Sequence, residues 1–193
     1  MMDVLIYKGI YNSGKTITLR LLFSKLINLD LVEDSFELNR KLLNKNDYYD
    51  ISKIARFDAV TNNKMKASAE KKIDLDDFYS IVRLNNKIIF IISHSIASDE
   101  FKYALNKFKE TKPDLIIASA KYVEQHPTVY DYLQEIFSPI HPQNYLELIS
   151  RKVNSSKIEN AKKLEAERLL NIILHTLNGQ NISELDYFND LIK

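Results

Sequence analysis

The fold of this chain is decided near its start by Gly9-Ile10-Tyr11-Asn12-Ser13-Gly14-Lys15-Thr16, which has the spacing G-x-x-x-x-G-K-[ST]. The stretch contains two of the chain's three glycines. An apolar run, Val4-Leu5-Ile6-Tyr7, precedes it, and an amphipathic stretch from Ile17 to Leu29 follows it. Such patterns are typical of a buried strand and a surface helix. The sequence therefore predicts a strand, a glycine-containing loop and a helix in that order, which is the context in which the spacing is informative.

Each fixed residue type of the stretch suits the binding of a phosphate group. Glycine has no Cβ atom, so at Gly9 and Gly14 the backbone can take unusual dihedral angles and approach a ligand closely. Backbone N–H groups of such a loop and of the first helical turn form an anion site. Lys15 would contact the β- and γ-phosphate oxygens of a nucleoside triphosphate, and the Thr16 hydroxyl would bind Mg²⁺. The predicted nucleotide contacts are Gly9, Asn12, Ser13, Gly14, Lys15, Thr16 and Ile17.

These residues resemble the Walker A motif of the P-loop NTPase superfamily, and the resemblance covers roughly the first thirty residues. It implies that ATP or GTP is bound together with Mg²⁺. We favour ATP because the guanine-specific motifs are not in place. No Asp stands three residues before a Gly, as D-x-x-G requires. Asn44-Lys45-Asn46-Asp47 matches N-K-x-D, but it follows the loop by only about thirty residues, whereas GTPases have it late in the chain.

Composition is that of a globular domain without an electrostatic preference for nucleic acid or membranes. The chain has 193 residues, of which 45% are hydrophobic and 27% charged, and its net charge is +1. A chain of this length can bury a substantial core as one domain. No apolar run is long enough to span a bilayer, and the absence of cysteine excludes disulfides and thiolate metal sites. We expect a cytoplasmic protein that acts on a nucleoside triphosphate and on an unidentified small molecule or protein partner.

The remaining sequence predicts strands that alternate with helices. Residues 30–78 are polar with a weak helical periodicity, and they predict a mostly helical segment that could bind an acceptor or form a lid. Two apolar runs separated by Asn85-Asn86 predict a hairpin over 78–92. The further expected elements are a helix from 98 or 99 to 109, a strand over 114–119, a helix over 128–137, a strand over 145–149 and a C-terminal helix within 154–179. This alternation predicts one domain, residues 1–193, with a three-layer α/β fold, a mostly parallel sheet and ligands at the carboxyl ends of its strands.

The expected acidic residue after the interior strand is missing. A typical P-loop protein has a strand-end Asp that holds Mg²⁺, but Ser93-His94-Ser95 follows this strand here. We consider Asp99 as a second metal-binding residue beside Thr16; it could equally cap a helix. His94 could orient a nucleophile or sense the γ-phosphate, or it could belong to a hydrogen-bonded turn. Arg56 could neutralise the transferred phosphoryl group, or it could be a solvated helix residue.

Three functions remain open from the sequence. The small size, the N-terminal loop and the helical segment after the first helix are similar to nucleotide and small-metabolite kinases, which implies a kinase-like transfer with Lys15, His94 and Arg56 as catalytic candidates. A nucleotide-dependent switch or weak ATPase would act through a protein partner, and the missing acidic residue favours it. A third alternative binds phosphate without turnover. The C-terminal helix could pair with a second copy of the chain, or it could pack on its own domain.

Overall fold

The computed structural model describes residues 2–9, 14–38, 41–45, 78–93, 99–121, 129–137, 140–150 and 158–184. Seven strands and four helices lie within these ranges: β1 (Asp3–Gly9), α1 (Lys15–Ile27), β2 (Ser35–Leu38), β3 (Lys41–Asn44), β4 (Tyr79–Leu84), β5 (Lys87–Ile92), α2 (Asp99–Thr111), β6 (Leu115–Lys121), α3 (Val129–Phe137), β7 (Tyr145–Ile149) and α4 (Ile158–Leu177). A short 3₁₀ turn, Pro142–Asn144, leads into β7. None of the helices in these ranges has the length and apolarity that a membrane span requires.

The strands form one mixed sheet with the order β3-β2-β4-β5-β6-β1-β7. Strands β5, β6, β1 and β7 run parallel, whereas β4, β2 and β3 are joined by antiparallel pairings. The predicted α/β class is therefore confirmed. The sheet is mixed rather than mostly parallel as expected, because three of the six pairings between the described strands are antiparallel. The antiparallel pairing of β4 with β5 follows from their short connection, because a strand that returns through a two-residue turn can only pair antiparallel.

The predicted hairpin over 78–92 is confirmed as β4 and β5. Its turn residues Asn85 and Asn86 both have positive φ, at 49° and 64°. A two-residue hairpin turn of the I′ type needs positive φ at both positions, and Asn accepts this conformation more readily than most residues. The Ser93 hydroxyl accepts a hydrogen bond from the Phe78 N–H at 2.8 Å, and the Ser93 N–H donates to the Phe78 carbonyl. Ser93 therefore closes the open end of the hairpin.

The segment after α1 begins with strands rather than with the expected helix. The helical prediction for 30–78 is wrong for β2 and β3, which pair with each other and, through β2, with β4. Phe36 and Leu38 are buried while Ser35 and Glu37 are half-buried. This period of two identifies a strand with one covered face, but a run of four residues is too short to separate it from a helical pattern. Residues 46–77 lie outside the described residues, so the acceptor or lid segment there stays a prediction.

Helices cover both faces of the sheet, which gives three layers. Along β1, Leu5 and Tyr7 face one side and pack with α1 and α4, whereas Val4 and Ile6 face the other side and pack with α2 and α3. Successive side chains of a strand point to opposite faces, so β1, β4, β5 and β6 each contribute buried residues to both hydrophobic clusters. The C-terminal helix α4 contacts α1 and this sheet face, so it packs on its own domain.

Helix α4 ends at the glycine that the sequence predicts. Gly179 has φ +90°, a conformation that glycine adopts without a Cβ penalty. Its N–H donates to the carbonyl of Thr176 at 2.9 Å, and the N–H of Gln180 donates to the carbonyl of His175 at 3.1 Å. This pair of bonds is a Schellman motif. The helix therefore ends inside the predicted range 154–179, and it begins at Ile158.

Candidate functional site

The glycine-containing stretch connects the carboxyl end of β1 to the first turn of α1. Gly9 is the last residue of β1, and Gly14 lies directly before α1 with φ 82° and ψ 22° in the left-handed region. The Lys15 ammonium donates a hydrogen bond to the Gly9 carbonyl at 2.9 Å. The Thr18 N–H donates to the Gly14 carbonyl at 3.0 Å. Lys15 therefore joins the two ends of the segment 10–13, which itself lies outside the described residues.

The stretch lies where the sheet connections diverge. Strands β1 and β6 are parallel neighbours. The connection from β1 continues into α1 on one face of the sheet, whereas the connection from β6 continues into α3 on the other face. Connections that leave adjacent strands in opposite directions create a crevice beyond their carboxyl ends, where open α/β sheets bind ligands. Gly9 at the end of β1 and Lys121 at the end of β6 border this point.

The side chain of Lys162, from the C-terminal helix α4, packs against Gly14. A Cβ atom built on Gly14 would lie 2.8 Å from Cε and 3.3 Å from Cδ of Lys162. The first distance is closer than nonbonded carbon atoms approach, so any other residue at position 14 would have to displace Lys162. Gly14 is thus required by its positive φ and also by the side chain that packs against it.

Lys162 belongs to a group of polar residues that we call the buried polar cluster: Tyr7, Thr18, Ser150, Lys162 and Glu165. Its ammonium donates to the Glu165 carboxylate at 2.7 Å and to the Ser150 hydroxyl at 3.0 Å. The Tyr7 hydroxyl donates to the same Glu165 oxygen. The Thr18 hydroxyl lies 3.2 Å from that oxygen and 3.3 Å from the Gly14 carbonyl. The cluster therefore joins β1, α1, the end of β7 and α4 directly behind Gly14.

Charge within the buried polar cluster is balanced. Lys162 is fully buried, and the Glu165 side chain is 18% exposed. A buried ammonium is costly unless an anion and further hydrogen-bond acceptors compensate it, and Glu165 and Ser150 supply both. Burial raises the pKa of Tyr7, and the nearby Glu165 carboxylate raises it further. Tyr7 therefore keeps its proton, and its hydroxyl donates a hydrogen bond to Glu165.

The predicted site residues divide into those that the structure describes and those that it does not. Lys15, Thr16 and Ile17 form the first turn of α1 and are half-buried. Asp99 is the first residue of α2; its side chain is not described. The structure thus brings Lys15 to Gly9 and to the turn at Gly14. Outside the described residues lie Asn12, Ser13, Arg56 and His94, so their roles stay predictions.

Two further residues of the sequence motifs, Ser93 and Lys45, form hydrogen bonds within the fold. Ser93 bonds to Phe78, and its carbonyl accepts a hydrogen bond from the Ser119 hydroxyl at 3.0 Å, which links the ends of β5 and β6. Lys45, the lysine of the N-K-x-D match, donates to the carbonyls of Leu29 and Val32 beyond the end of α1. Both residues hold loops in place.

The buried polar cluster is not recognisable from the sequence. Lys162 and Glu165 are three residues apart on a helix, which is the usual spacing of a solvent-exposed ion pair, and lysine is almost never fully buried. A weak signal exists in the apolar residues Ala161, Ala166 and Leu169, because a helical projection places Lys162 beside them on the inward face. The contacts of Lys162 and Glu165 with Tyr7 and Ser150 depend on the topology of the fold. Tyr7 and Glu165, for example, are 158 positions apart in the chain.

Comparison with protein-family models, with curated proteins and with solved structures finds no match for this chain. Among the described residues, no group of three or more His, Cys, Asp or Glu side chains is placed to hold a metal ion. Thr16, in the first turn of α1, stays a predicted metal ligand, and so does Asp99, whose side chain is not described. A single hydroxyl fits Mg²⁺ that arrives with a nucleotide, because this ion keeps several waters and takes phosphate oxygens as its other ligands.

Proposed function

We propose that this protein binds a nucleoside triphosphate, preferably ATP with Mg²⁺, and transfers its γ-phosphoryl group to a small acceptor. The observation that carries the proposal is the position of the stretch 9–16. It lies between the carboxyl end of β1, which has parallel neighbours on both sides, and the first turn of a helix, beside the point where connections leave for opposite faces. Such a position suits a polyphosphate because backbone N–H groups and the helix dipole favour negative charge there.

Lys15 supplies the mobile positive charge of the proposed site. Its ammonium donates to the Gly9 carbonyl at 2.9 Å, which places it at the carboxyl end of β1. In the proposed site this ammonium contacts the β- and γ-phosphate oxygens. Thr16 would contribute its hydroxyl to Mg²⁺, which lowers the charge repulsion between the nucleotide and an incoming acceptor.

In the proposed reaction an acceptor oxygen forms a bond to the γ-phosphorus. The bond from this phosphorus to the oxygen that bridges it to the β-phosphate breaks, ADP leaves, and the acceptor proton passes to a base. His94 is the candidate base and Arg56 the candidate for charge neutralisation. Catalysis of phosphoryl transfer consists mainly of positioning and electrostatic stabilisation, so the role of Lys15 is to hold the phosphates in line with the acceptor.

A second candidate is a nucleotide-dependent switch or weak ATPase whose output is a protein interaction. One observation favours it: Gly14 at the end of the stretch contacts Lys162 of α4 through the buried polar cluster. A change of the loop on nucleotide binding would therefore reach a long helix whose other side is exposed. This candidate differs from the first in requiring no acceptor.

The decisive experiment is a calorimetric titration of ATP, ADP, GTP and GDP, with and without Mg²⁺, into wild type and Lys15→Ala. We expect Mg²⁺-dependent binding that Lys15→Ala weakens roughly 10- to 100-fold, because a charge-assisted hydrogen bond to phosphate is lost. Lys25→Ala is the matched control, since Lys25 lies in the last turn of the same helix. Thr16→Ala should reduce the Mg²⁺-dependent part of the affinity. Equal affinity of wild type and Lys15→Ala would refute a phosphate site at this lysine.

Turnover separates the two candidates once binding is established. Incubation with labelled ATP and a panel of nucleosides, nucleotides and small alcohols tests for a phosphorylated product. A product supports the transferase. Slow phosphate release without product, together with a nucleotide-dependent change in oligomeric state or partner binding, supports the switch. Binding with neither effect corresponds to the third alternative, a domain that holds phosphate without turnover.

A further inference from the structure

We propose that Lys162 is a positioning residue for the nucleotide site: held by Glu165 and Ser150, it fixes the left-handed turn at Gly14 through which the phosphate-binding stretch enters α1. This inference rests on the proposed function, since it assigns a role in nucleotide binding to a residue that does not itself touch the nucleotide. It makes the C-terminal helix α4 a part of the site that binds the nucleotide.

The first argument is steric. The aliphatic part of Lys162 fills the space behind Gly14 so closely that a Cβ atom there would lie 2.8 Å from Cε. The turn at Gly14 therefore cannot move toward α4 unless the lysine side chain moves. On its other side the lysine is held at 3.0 Å by Ser150, which in turn donates its N–H to the carbonyl of Lys8 in β1. The lysine thus connects the turn to the end of the same strand from which the stretch begins.

The second argument concerns the hydrogen bonds around Thr18. Thr18 lies within hydrogen-bond distance of both the Gly14 carbonyl and the Glu165 carboxylate, at 3.3 and 3.2 Å. A hydroxyl has one proton to donate, so these two acceptors compete for it. Lys162 contributes an ammonium to Glu165 at 2.7 Å and thereby satisfies part of the carboxylate. Loss of this ammonium would draw the Thr18 hydroxyl toward Glu165 and away from the Gly14 carbonyl.

The third argument concerns the choice of residue. A buried ion pair adds little to stability compared with well-packed apolar residues of similar volume, which often serve as well or better. Packing alone would therefore be satisfied by a methionine or leucine at position 162. A fully buried lysine where α4 packs against Gly14 indicates that its hydrogen bonds have a positional role.

The inference is tested with Lys162→Met, which keeps an unbranched chain of similar length and removes the charge. Lys163→Met is the matched control, because Lys163 is the next residue of α4 and is exposed. Two quantities are measured at a temperature where circular dichroism shows every variant to be folded. The first is the calorimetric affinity for MgATP. The second is the exchange rate of the Thr18 amide proton without nucleotide, followed by NMR, because this amide bonds to the Gly14 carbonyl at 3.0 Å.

We expect Lys162→Met to weaken MgATP binding roughly tenfold, a typical size for coupling between two sites, and to accelerate exchange at Thr18. Lys163→Met should match wild type in both measurements. If Lys162→Met does not fold, Glu165→Gln replaces it: this change keeps an acceptor for Tyr7 and removes the carboxylate that holds the lysine. For Glu165→Gln we then expect a smaller loss of MgATP affinity than for Lys162→Met, together with faster exchange of the Thr18 amide proton.

Two failures are distinguishable. Wild-type affinity and wild-type exchange in a folded Lys162→Met, or in Glu165→Gln where that variant is used, would overturn the inference and leave the proposed function standing. A wild-type protein that binds no nucleotide would overturn the proposed function, and the role of Lys162 in nucleotide binding with it. A lower unfolding temperature with unchanged affinity would also overturn the inference, because it shows a contribution to stability alone.

Discussion

The two helical layers cover the same sheet but bury different kinds of side chain. In the part of the chain that the structure describes, the buried side chains of α2 and α3 are all apolar: Phe101, Ala104, Leu105, Phe108, Val129 and Leu133. Helices α1 and α4 bury apolar residues too, but they also bury five polar ones: Thr18, Arg20, Ser24, Lys162 and Thr176. The layer whose helix α1 follows the stretch 9–16 is therefore also the layer with a polar interior.

This difference indicates a division of roles between the layers. Apolar burial stabilises a fold at roughly 25 cal/mol per Å² of surface removed from water, and it leaves no group in need of a partner. Polar burial is costly unless each group is hydrogen-bonded. We infer that the α2–α3 layer mainly supplies stability. The α1–α4 layer gives up part of that stability to hold Gly14 and Thr18 in fixed positions.

The largest expected effect is a loss of stability on truncation in the apolar layer. Phe101 is fully buried and packs edge-to-face on Tyr132, with ring centroids 5.9 Å apart. Phe101→Ala should lower the free energy of unfolding by about 3–5 kcal/mol because it leaves a cavity. Urea unfolding measures this value. Leu164→Ala is the control, since Leu164 is an exposed apolar residue and its truncation should cost less than about 0.5 kcal/mol.

The same variant tests the division of roles. The folded fraction of Phe101→Ala should bind MgATP with the affinity of wild type, because the phenylalanine lies on the face opposite to Gly14. An affinity loss as large as that of Lys15→Ala would show that the two layers are not separate in function.

A double-mutant cycle in the polar layer should give the next largest effect. Glu165→Leu leaves the buried Lys162 without its carboxylate, which should cost about 3 kcal/mol. Lys162→Leu combined with Glu165→Leu removes both charges, and its loss should be smaller than the sum of the single losses by about 1–3 kcal/mol. Urea unfolding of the four proteins gives the coupling. Strictly additive losses would mean that the pair does not interact in the folded protein, and the comparison of the layers would lose its basis.

Much of the fold was predictable from local patterns. The strand β1 follows from an apolar run and the helix α1 from an amphipathic stretch. Asn85-Asn86 predicts the β4–β5 hairpin because asparagine tolerates positive φ at both turn positions. The prediction failed at β2 and β3. Phe36 and Leu38 alternate with Ser35 and Glu37, but so short an alternation also fits a helix, and no Gly or Pro marks the turn between these strands.

The candidate site was predictable only on the side of the stretch 9–16. The spacing of Gly9, Gly14 and Lys15 indicates a phosphate site without any tertiary information. The buried polar cluster was not predictable, because its members come from four elements and the local sequence around each of them does not mark it as part of a site. Lys162 in particular has a sequence neighbourhood that fits an exposed helix position, and only the packing of α4 on α1 makes it a neighbour of Gly14.

A matched pair of glycine substitutions should give an intermediate effect. Gly14 and Gly179 have similar positive φ, +82° and +90°, but a Cβ would meet Lys162 at the first and nothing within 4 Å at the second. Gly179→Ala should therefore cost only the backbone strain of about 1–2 kcal/mol. Gly14→Ala should cost this amount and a steric contribution in addition. Thermal and urea unfolding of both variants give the difference.

Lys162→Ala provides the control for the steric contribution. In this background the space behind Gly14 is open, so Gly14→Ala should approach the cost of Gly179→Ala. A difference between the two glycine variants that persists without the lysine would show that the special requirement at position 14 comes from another neighbour. That result would remove the steric argument for Lys162 as a positioning residue.

The smallest expected effect concerns an ion pair on the edge of the sheet, Lys8 with Glu147 at 2.7 Å. Partial burial tends to raise the pKa of Glu147, but hydrogen bonds from Lys8 and Tyr145 and the charge of Lys8 outweigh it, so the pKa lies below its ordinary value of 4.5. A carboxyl group with a lowered folded-state pKa stabilises the fold above pH 4.5, and this contribution is lost as the pH falls through the lowered value.

Because both side chains of this pair are partly exposed, at 24% and 39%, the contribution should be at most about 1 kcal/mol. Lys8→Met should remove the part that comes from Lys8 and leave the part from the Tyr145 hydrogen bond, so that part of the pH dependence of unfolding becomes flatter. Salt at about 1 M should have the same effect in wild type, since it screens exposed charges. The coupling between Lys162 and Glu165 should persist in that salt, because the lysine is fully buried. If salt weakened both pairs equally, water would reach the cluster behind Gly14, and α4 could not hold that turn as rigidly as its contacts indicate.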